Sequence, residues 1–177
     1  MGNADLALEL LISDDETEAD ALCEKLESLN VLRKNTESEI LEAVEKILNS
    51  EPSRKYEKII VVEGEDWNHG VLGIVASKIT QKYGKPSILI TIEGENAKGS
   101  CRSVGGFSIY DLLCSCSEHL QKFGGHPMAA GISLKTSDIG NFRKSVINAG
   151  QNYEIPFPKL VIDLKLNAKM ISTKILD

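Results

Sequence analysis

The chain has 177 residues, 42% hydrophobic and 26% charged, the composition of a globular protein of one ordinary domain or of one domain with appendages. No apolar run approaches the roughly 20 residues that cross a bilayer, and the first residues lack the cationic, apolar and small-residue order of a signal peptide. A cytoplasmic setting with no membrane partner is therefore expected. The net charge of −6 argues against gripping nucleic acid through bulk positive charge.

That average conceals an asymmetry. Residues 1–51 hold 14 acids and four bases, a net of −10, whereas residues 52–177 hold 12 acids and 16 bases, a net of +4. An anionic ligand is expected in the second part.

Ala4 to Ile12 carries Leu6, Leu8, Leu10 and Leu11 and reads as a helix. Ser13 followed by Glu16 has the pattern of a capping box opening a second helix. From there to about Asn49 there is no glycine or proline. Leu22, Leu26 and Leu29 recur at helical spacing, as do Ile40, Val44 and Ile47, with a wholly polar stretch from Arg33 to Glu39 between them. A helix of that length spans about 50 Å at ~1.5 Å per residue. It reads either as a connector between two bodies or as a solvated surface helix.

Glu51-Pro52-Ser53 ends this region. Lys58 to Val62 reads as a buried strand, Val71 to Tyr83 as a helix stopped by Gly84 and Pro86, and Ser87 to Ile92 as a second strand. This order suggests a βαβ unit with parallel pairing. Glu93 to Asn96 reads as a turn into a hairpin partner over Ala97 to Arg102. Ile109 to Leu120 reads as helix, Gly131 to Lys135 as strand, and Ile139 to about Ala149 as a last helix. Beyond Pro156 and Pro158, Lys159 to Leu166 resumes a strand pattern. The expected fold is α/β: a mixed β-sheet flanked by helices and preceded by a long connector helix. Three regions are expected, 1–51, 52–155 and 156–177.

Half of the 14 glycines lie between Gly94 and Gly131. On a strand over 97–102, Lys98, Ser100 and Arg102 share one face, and Ala97, Gly99 and Cys101 the other. An ammonium, a hydroxyl and a guanidinium in a row suit a phosphate, since arginine offers a planar bidentate fork. The same row also suits an edge strand whose charges face water. Gly124-Gly125-His126-Pro127 reads either as a nest of backbone N–H groups around an anion or as a tight turn needing positive φ. His69 stands where a helix N-terminus could hold an anion, or serves as a turn residue. His119 reads as structural. Cys23, Cys101, Cys114 and Cys116 show no C-x-x-C pair and read as small buried hydrophobes. No dinucleotide fingerprint, phosphate loop or metallohydrolase motif occurs, and three histidines without an acidic cluster form no two-metal site.

Three motifs in order, Trp67-Asn68-His69-Gly70-Val71-Leu72-Gly73-Ile74-Val75-Ala76-Ser77, Gly99-Ser100-Cys101-Arg102-Ser103 and Gly124-Gly125-His126-Pro127-Met128-Ala129-Ala130-Gly131, resemble those of the RecJ-type single-strand-specific exonucleases. They match the DHH-associated domain of that family. The stretch Leu29-Asn30-Val31-Leu32-Arg33 is similar to its inter-domain helix. The resemblance runs from residue 1 to about 150. It implies that 1–51 is a connector, that 52–155 holds single-stranded DNA, and that 156–177 begins an oligonucleotide-binding-fold module. It implies a 5′→3′ exonuclease of DNA repair and recombination, whose manganese or magnesium is held by a catalytic DHH domain absent from this chain. No cofactor or catalytic residue is expected here, and the chain alone is expected to be inactive.

By the same resemblance Ser100 and Arg102 contact the 5′-phosphate end, Gly124, Gly125 and His126 line the same cleft, and Arg33 reaches the phosphate from the connector. Lys98, on their strand face, Ser103, next in the motif, and His69, at its helix N-terminus, join the candidate substrate-binding residues. Cys101 stands where glycine is commoner, and Asn68 departs from a Trp-His-Pro pattern. The expected partners are single-stranded DNA and the protein's own catalytic domain, with a second copy of the chain pairing through the exposed connector. Two other readings are a DHH-family phosphoesterase acting on short oligonucleotides or cyclic dinucleotides, and a protein-interaction domain whose acidic helix docks a partner.

Overall fold

Two runs of aliphatic residues set the centre of the molecule. In the computed structural model, which describes residues 4–155 together with Ile162 and Lys165, they form the parallel strands β1 (Ile60–Glu65) and β2 (Ser87–Glu93). Ile60, Val61, Val62, Ile88, Leu89 and Ile90 are all fully buried. Such runs, apolar on both faces, mark strands covered by helices on both sides. Strand β3 (Asn96–Arg102) returns antiparallel to β2 through a turn with Gly94 at φ +64°. Strands β4 (Lys122–His126) and β5 (Ala129–Lys135) form a second antiparallel hairpin, and the sheet order is β1-β2-β3-β5-β4. The expected mixed sheet is present.

Alternation along the strands divides the core into two layers. Ile60, Val62 and Leu89 face α4 (His69–Tyr83) and the second half of α2 (Glu16–Ser50), where Ile40, Val44, Leu48, Val71, Leu72, Val75 and Ile79 pack. Val61, Ile88, Ile90, Ala97, Cys101, Ile132 and Leu134 face the opposite layer, built on α5 (Ile109–Ser115) and α6 (Ile139–Gln151). Burying a side chain of this size contributes about 1.5–3 kcal/mol, so each layer fixes its helices firmly. The edge of β1 is capped by α3 (Ser53–Tyr56), whose Arg54 donates to the Val61 carbonyl at 3.1 Å and to the Glu63 carboxylate at 2.9 and 3.1 Å.

Helix α4 starts and stops where its sequence dictates. The Asn68 side chain accepts from the Gly70 N–H at 3.0 Å, and Gly84 closes the helix in the left-handed region at φ +62°. Its seam with β2 carries a satisfied polar contact: the Ser87 hydroxyl donates to the Ala76 carbonyl and lies 2.8 Å from the Thr80 hydroxyl.

Helices α1 (Ala4–Ile12) and α2 pair as a hairpin. Only the second half of α2 lies on the sheet layer. Leu8, Leu11, Ile12, Val31 and Leu32, away from it, are exposed.

Four sequence expectations are corrected. The cap of α2 is Asp15, which accepts from the Glu18 N–H at 3.0 Å. Ser13 instead bonds to the Glu18 side chain at 2.7 Å, so the box is shifted. The helix read over Ile109–Leu120 ends at Ser115, and Ser117–His119 forms a separate 3₁₀ turn. Residues 122–126 form a strand, which the paired glycines hide because they weaken strand propensity; the positive φ expected of a turn is present at Gly125, and the turn itself falls at residues 127 and 128. Finally, Cys23 and Cys114 are exposed, and only Cys101 and Cys116 are buried. The strand read over Lys159–Leu166 and the module at 156–177 lie outside the described residues.

Candidate functional site

The register of the three antiparallel strands creates the site. On the face shared with α4, the pairing aligns three rows of side chains across β3, β5 and β4: Arg102–Ala129–His126, Ser100–Gly131–Gly124, and Lys98–Ser133–Lys122. Helix α4 covers β2 and β3 and leaves β5 and β4 open on this side. What remains is a cleft of about 360 Å³ between the N-terminal turns of α4 and the sheet. Its walls include His69, Gly73, Ser100 and Arg102, and its floor Gly124 and Gly131. A second hollow of about 310 Å³ continues it past His69, Gly124 and Gly131 to Lys98, Lys122 and Ser133.

The floor is bare by sequence. A Cβ placed on Gly124 meets nothing within 4 Å, and one on Gly131 meets only the Gly99 carbonyl at 3.9 Å. Packing therefore does not require glycine at these two positions, and their effect is to keep the cleft open. Gly125 is different: at φ +149° its Cβ would lie 2.3 Å from the Ala129 carbonyl, so the backbone demands glycine there.

Arg102 is held from several sides. Its Nε–H donates to the Ser77 hydroxyl at 3.1 Å, and Nη1 donates to the Ser100 hydroxyl at 3.1 Å and the Cys101 carbonyl at 2.8 Å. Nη2 lies against Gly73, where an added Cβ would come within 2.6 Å. All these acceptors are neutral, and among the described residues no carboxylate pairs with Arg102. A half-buried guanidinium fixed by neutral groups retains its charge for an anion in the cleft. Beneath it, Cys101 points into the opposite core, and burial pushes its thiol up to about 12.

The remaining candidates separate. His126 is exposed in the Arg102 row but is not among the residues that line either hollow, whereas His69, the first residue of α4, overlooks both. Lys98 is exposed and pairs with Glu93 at 2.9 Å. Ser103 is buried, its hydroxyl donating to the Phe107 carbonyl at 2.7 Å, and it does not line the cleft. Arg33 also lies outside that lining. It pairs with Glu37 at 2.7 Å, and Glu37 pairs in turn with Lys78 of α4. The hydrogen bond from Lys78 is the main cause that holds the Glu37 carboxyl below its usual range.

Sequence reasoning placed Gly73, Ser77 and Gly131 within the motifs but gave them no part in the site, and it passed over Lys122. Gly73 and Ser77 are four apart, one turn of α4, and that spacing was the available signal. Cationic groups and exposed imidazoles without carboxylates suit an anion and do not suit a hard divalent cation such as magnesium. Among the described residues, no three His, Cys, Asp or Glu side chains converge to hold a metal ion.

Comparison with known proteins agrees in extent with the β-sheet region. The DHHA1 domain family matches residues 56–151. The single-stranded-DNA-specific exonuclease RecJ of Bacillus subtilis is 40% identical over 152 residues, which cover 84% of this chain and 19% of that protein. RecJ of Thermus thermophilus is 32% identical over 166 residues, 94% of this chain and 23% of the relative. A crystal structure of Thermus thermophilus RecJ in complex with Mn2+ superposes with a TM-score of 0.78 at 31% identity, covering 89% of this chain and 23% of that one. The chain thus spans about a fifth to a quarter of these relatives.

Proposed function

This chain belongs to the DHHA1 domain family, and from that premise we propose that it is the strand-holding part of a RecJ-type single-stranded-DNA exonuclease. In this reading the cleft receives the 5′-phosphate end of a single strand. Arg102 and Ser100 contact the phosphate, His69 lines its approach, and His126, exposed in the Arg102 row, reaches toward it from β4. Gly124 and Gly131 let the nucleotide lie close against the sheet, and Gly125 shapes the hairpin that carries His126. Residues 1–51 serve as a connector and 52–155 as the binding domain.

The observation that carries this is the Arg102 guanidinium, held by Ser77, Ser100 and the Cys101 carbonyl with no acid beside it, at the wall of a glycine-floored cleft. Cleavage, and the manganese or magnesium it uses, are assigned to a catalytic DHH domain outside this chain; no step of that chemistry is derived from these residues. The role in repair and recombination and the 5′→3′ direction follow from the same reading. The apolar side chains Leu11, Ile12, Val31 and Leu32 are exposed on the connector hairpin, as a surface meeting that catalytic domain requires. In the isolated chain the exposed connector pairs with a second copy, which sedimentation at rising concentration measures.

The test is direct. The chain is titrated with a short single-stranded oligonucleotide carrying either a 5′-phosphate or a 5′-hydroxyl. The phosphorylated strand is expected to bind tighter, with affinity falling with salt at a slope near −0.7 per phosphate contact. Arg102→Ala is expected to abolish the preference. Equal binding of the two strands by the unaltered chain would sink the assignment.

A further inference from the structure

The two hollows that meet at His69 differ in chemistry. The first, at Ser100 and Arg102, mixes polar and apolar surface, whereas the second is bounded mainly by carbon. Its floor is bare backbone at Gly124 and Gly131, where an added Cβ would meet no side chain within 4 Å. Phe123 and Ile132, next to those glycines, pack their side chains on the opposite core, so the floor stays flat. Its walls are the His69 imidazole at the start of α4 and the row Lys98–Ser133–Lys122, paired across β3, β5 and β4. Neighbouring strands lie about 4.8 Å apart, so the two lysine backbones stand about 9.6 Å apart, with Ser133 between them.

This hollow suits a flat ligand with apolar faces and a polar edge better than it suits a phosphate. An imidazole ring and a bare glycine floor are surfaces against which a nucleobase packs. Lysine stems cover apolar surface while their ammonium tips remain in water, and those tips and the Ser133 hydroxyl offer donors at the rim. Every base carries an acceptor on its edge, so such a rim tolerates all four. Lys122 has no ion pair among the described residues, and Lys98 has only an exposed one with Glu93, which is of little net strength.

One deoxyribose has three exits: the 5′ carbon to the terminal phosphate, the 1′ carbon to the base and the 3′ oxygen to the next phosphodiester. From Ser100 the lysine row is two residues along β3, about 6.7 Å, close to the span from a nucleotide's phosphate to its base. A base laid on the sheet there leaves the 3′ oxygen and its phosphodiester facing out of the cleft, free for a separate catalytic domain.

We propose that the second hollow is the subsite for the nucleobase of the strand's first nucleotide, stacked on His69 over Gly124 and Gly131 with its edge toward Lys98, Ser133 and Lys122. This rests on the strand-end reading of the cleft, and the experiment separates the two. The chain is titrated, with NMR detection, with 5′-phosphorylated pentathymidylate and with the same strand made abasic at either its first or its last nucleotide. Loss of the first base is expected to weaken binding about fivefold to tenfold, the effect of one stacked base, and loss of the last base to change it little.

His69→Ala is expected to lose most of that difference, and His69→Phe, which keeps a ring, to retain it. Ser133→Leu fills the hollow and is expected to lose the difference while its amide spectrum shows the fold intact and a 5′-phosphate is still preferred over a 5′-hydroxyl. The subsite is overturned by an unaltered chain that treats the two abasic strands alike, by His69→Ala and His69→Phe chains that behave alike, or by a Ser133→Leu chain that still discriminates. Indifference of the unaltered chain to the 5′-phosphate would instead overturn the strand-end reading, and it is measured on a different pair of oligonucleotides.

Discussion

The Nε–H of Arg102 donates to the hydroxyl of Ser77 at 3.1 Å, and that hydroxyl donates onward to the Gly73 carbonyl one turn earlier in α4. The helix thereby aims a guanidinium that belongs to β3. Ser77→Ala removes this acceptor and leaves the charge in place. It is expected to weaken binding of a 5′-phosphorylated strand about fivefold, close to 1 kcal/mol for one hydrogen bond, with little change for a 5′-hydroxyl strand. Ser77→Thr retains the hydroxyl and is expected to restore affinity. Equal weakening for both strands would show that Ser77 only supports the fold.

Adjacent glycines of β4 are expected to respond in opposite ways. Gly125→Ala forces a side chain into φ +149° and against the Ala129 carbonyl, and is expected to cost about 3 kcal/mol or more of stability. Gly124→Ala meets nothing in the protein, so its unfolding midpoint should stay close to that of the unaltered chain while the methyl group fills part of the cleft floor. Urea unfolding and oligonucleotide titration of both variants decide the matter. Equal stability losses would contradict the separation of backbone need from open floor.

Much of this was legible in the sequence because it depends on local chemistry. The limits of α4 follow from Asn68 and Gly84, and the buried strands from their aliphatic runs. The shared face of Lys98, Ser100 and Arg102 follows from simple alternation. Strand β4 was not legible, since its two glycines have poor strand propensity and only pairing with β5 makes it a strand. The part of Ser77 was hidden for a related reason: a serine on a helix acquires a role only when packing brings Arg102 to it. The shifted cap at Asp15 shows the same limit at short range, because Ser13 and Asp15 are both good caps and the helix start selects between them.

Glu37 ties α2 to α4, its carboxylate being shared between Arg33 and Lys78 while its side chain is only 8% exposed. Both cations hold its folded pKa below the ordinary 4.5. A depressed carboxylate contributes stability above the unfolded value, and the contribution is lost as pH falls through the folded one. Glu37→Gln is therefore expected to cost about 1–3 kcal/mol at neutral pH, and the gap to the unaltered chain should narrow as pH falls below 4.5. Urea midpoints measured for both proteins from pH 7 to pH 3 test this; a gap independent of pH would mean that packing and not charge holds the two helices together.

Cys101 lies on the strand that carries Arg102, with its thiol on the opposite face and fully buried. Burial raises its pKa from an ordinary value near 9 to about 12, and the nearby Arg102 charge only partly opposes this. A thiol with a raised folded pKa contributes stability below its unfolded value and loses it as pH climbs toward the folded one. Alkaline destabilisation is thus expected to begin near pH 9 and to shrink in Cys101→Ala once the constant cost of the cavity is subtracted. The protonated, enclosed sulfur should also be inert, since the thiolate is the reactive form. In the native chain at pH 8 an alkylating reagent is expected to modify the exposed Cys23 and Cys114 and to spare Cys101 and Cys116, with all four modified in denaturant. Mass mapping that finds Cys101 labelled as fast as Cys114 would mean that β3 opens from the sheet. In that event Arg102 could not be held in place for a strand end, so the labelling rate also reports how firmly the phosphate-facing side is built.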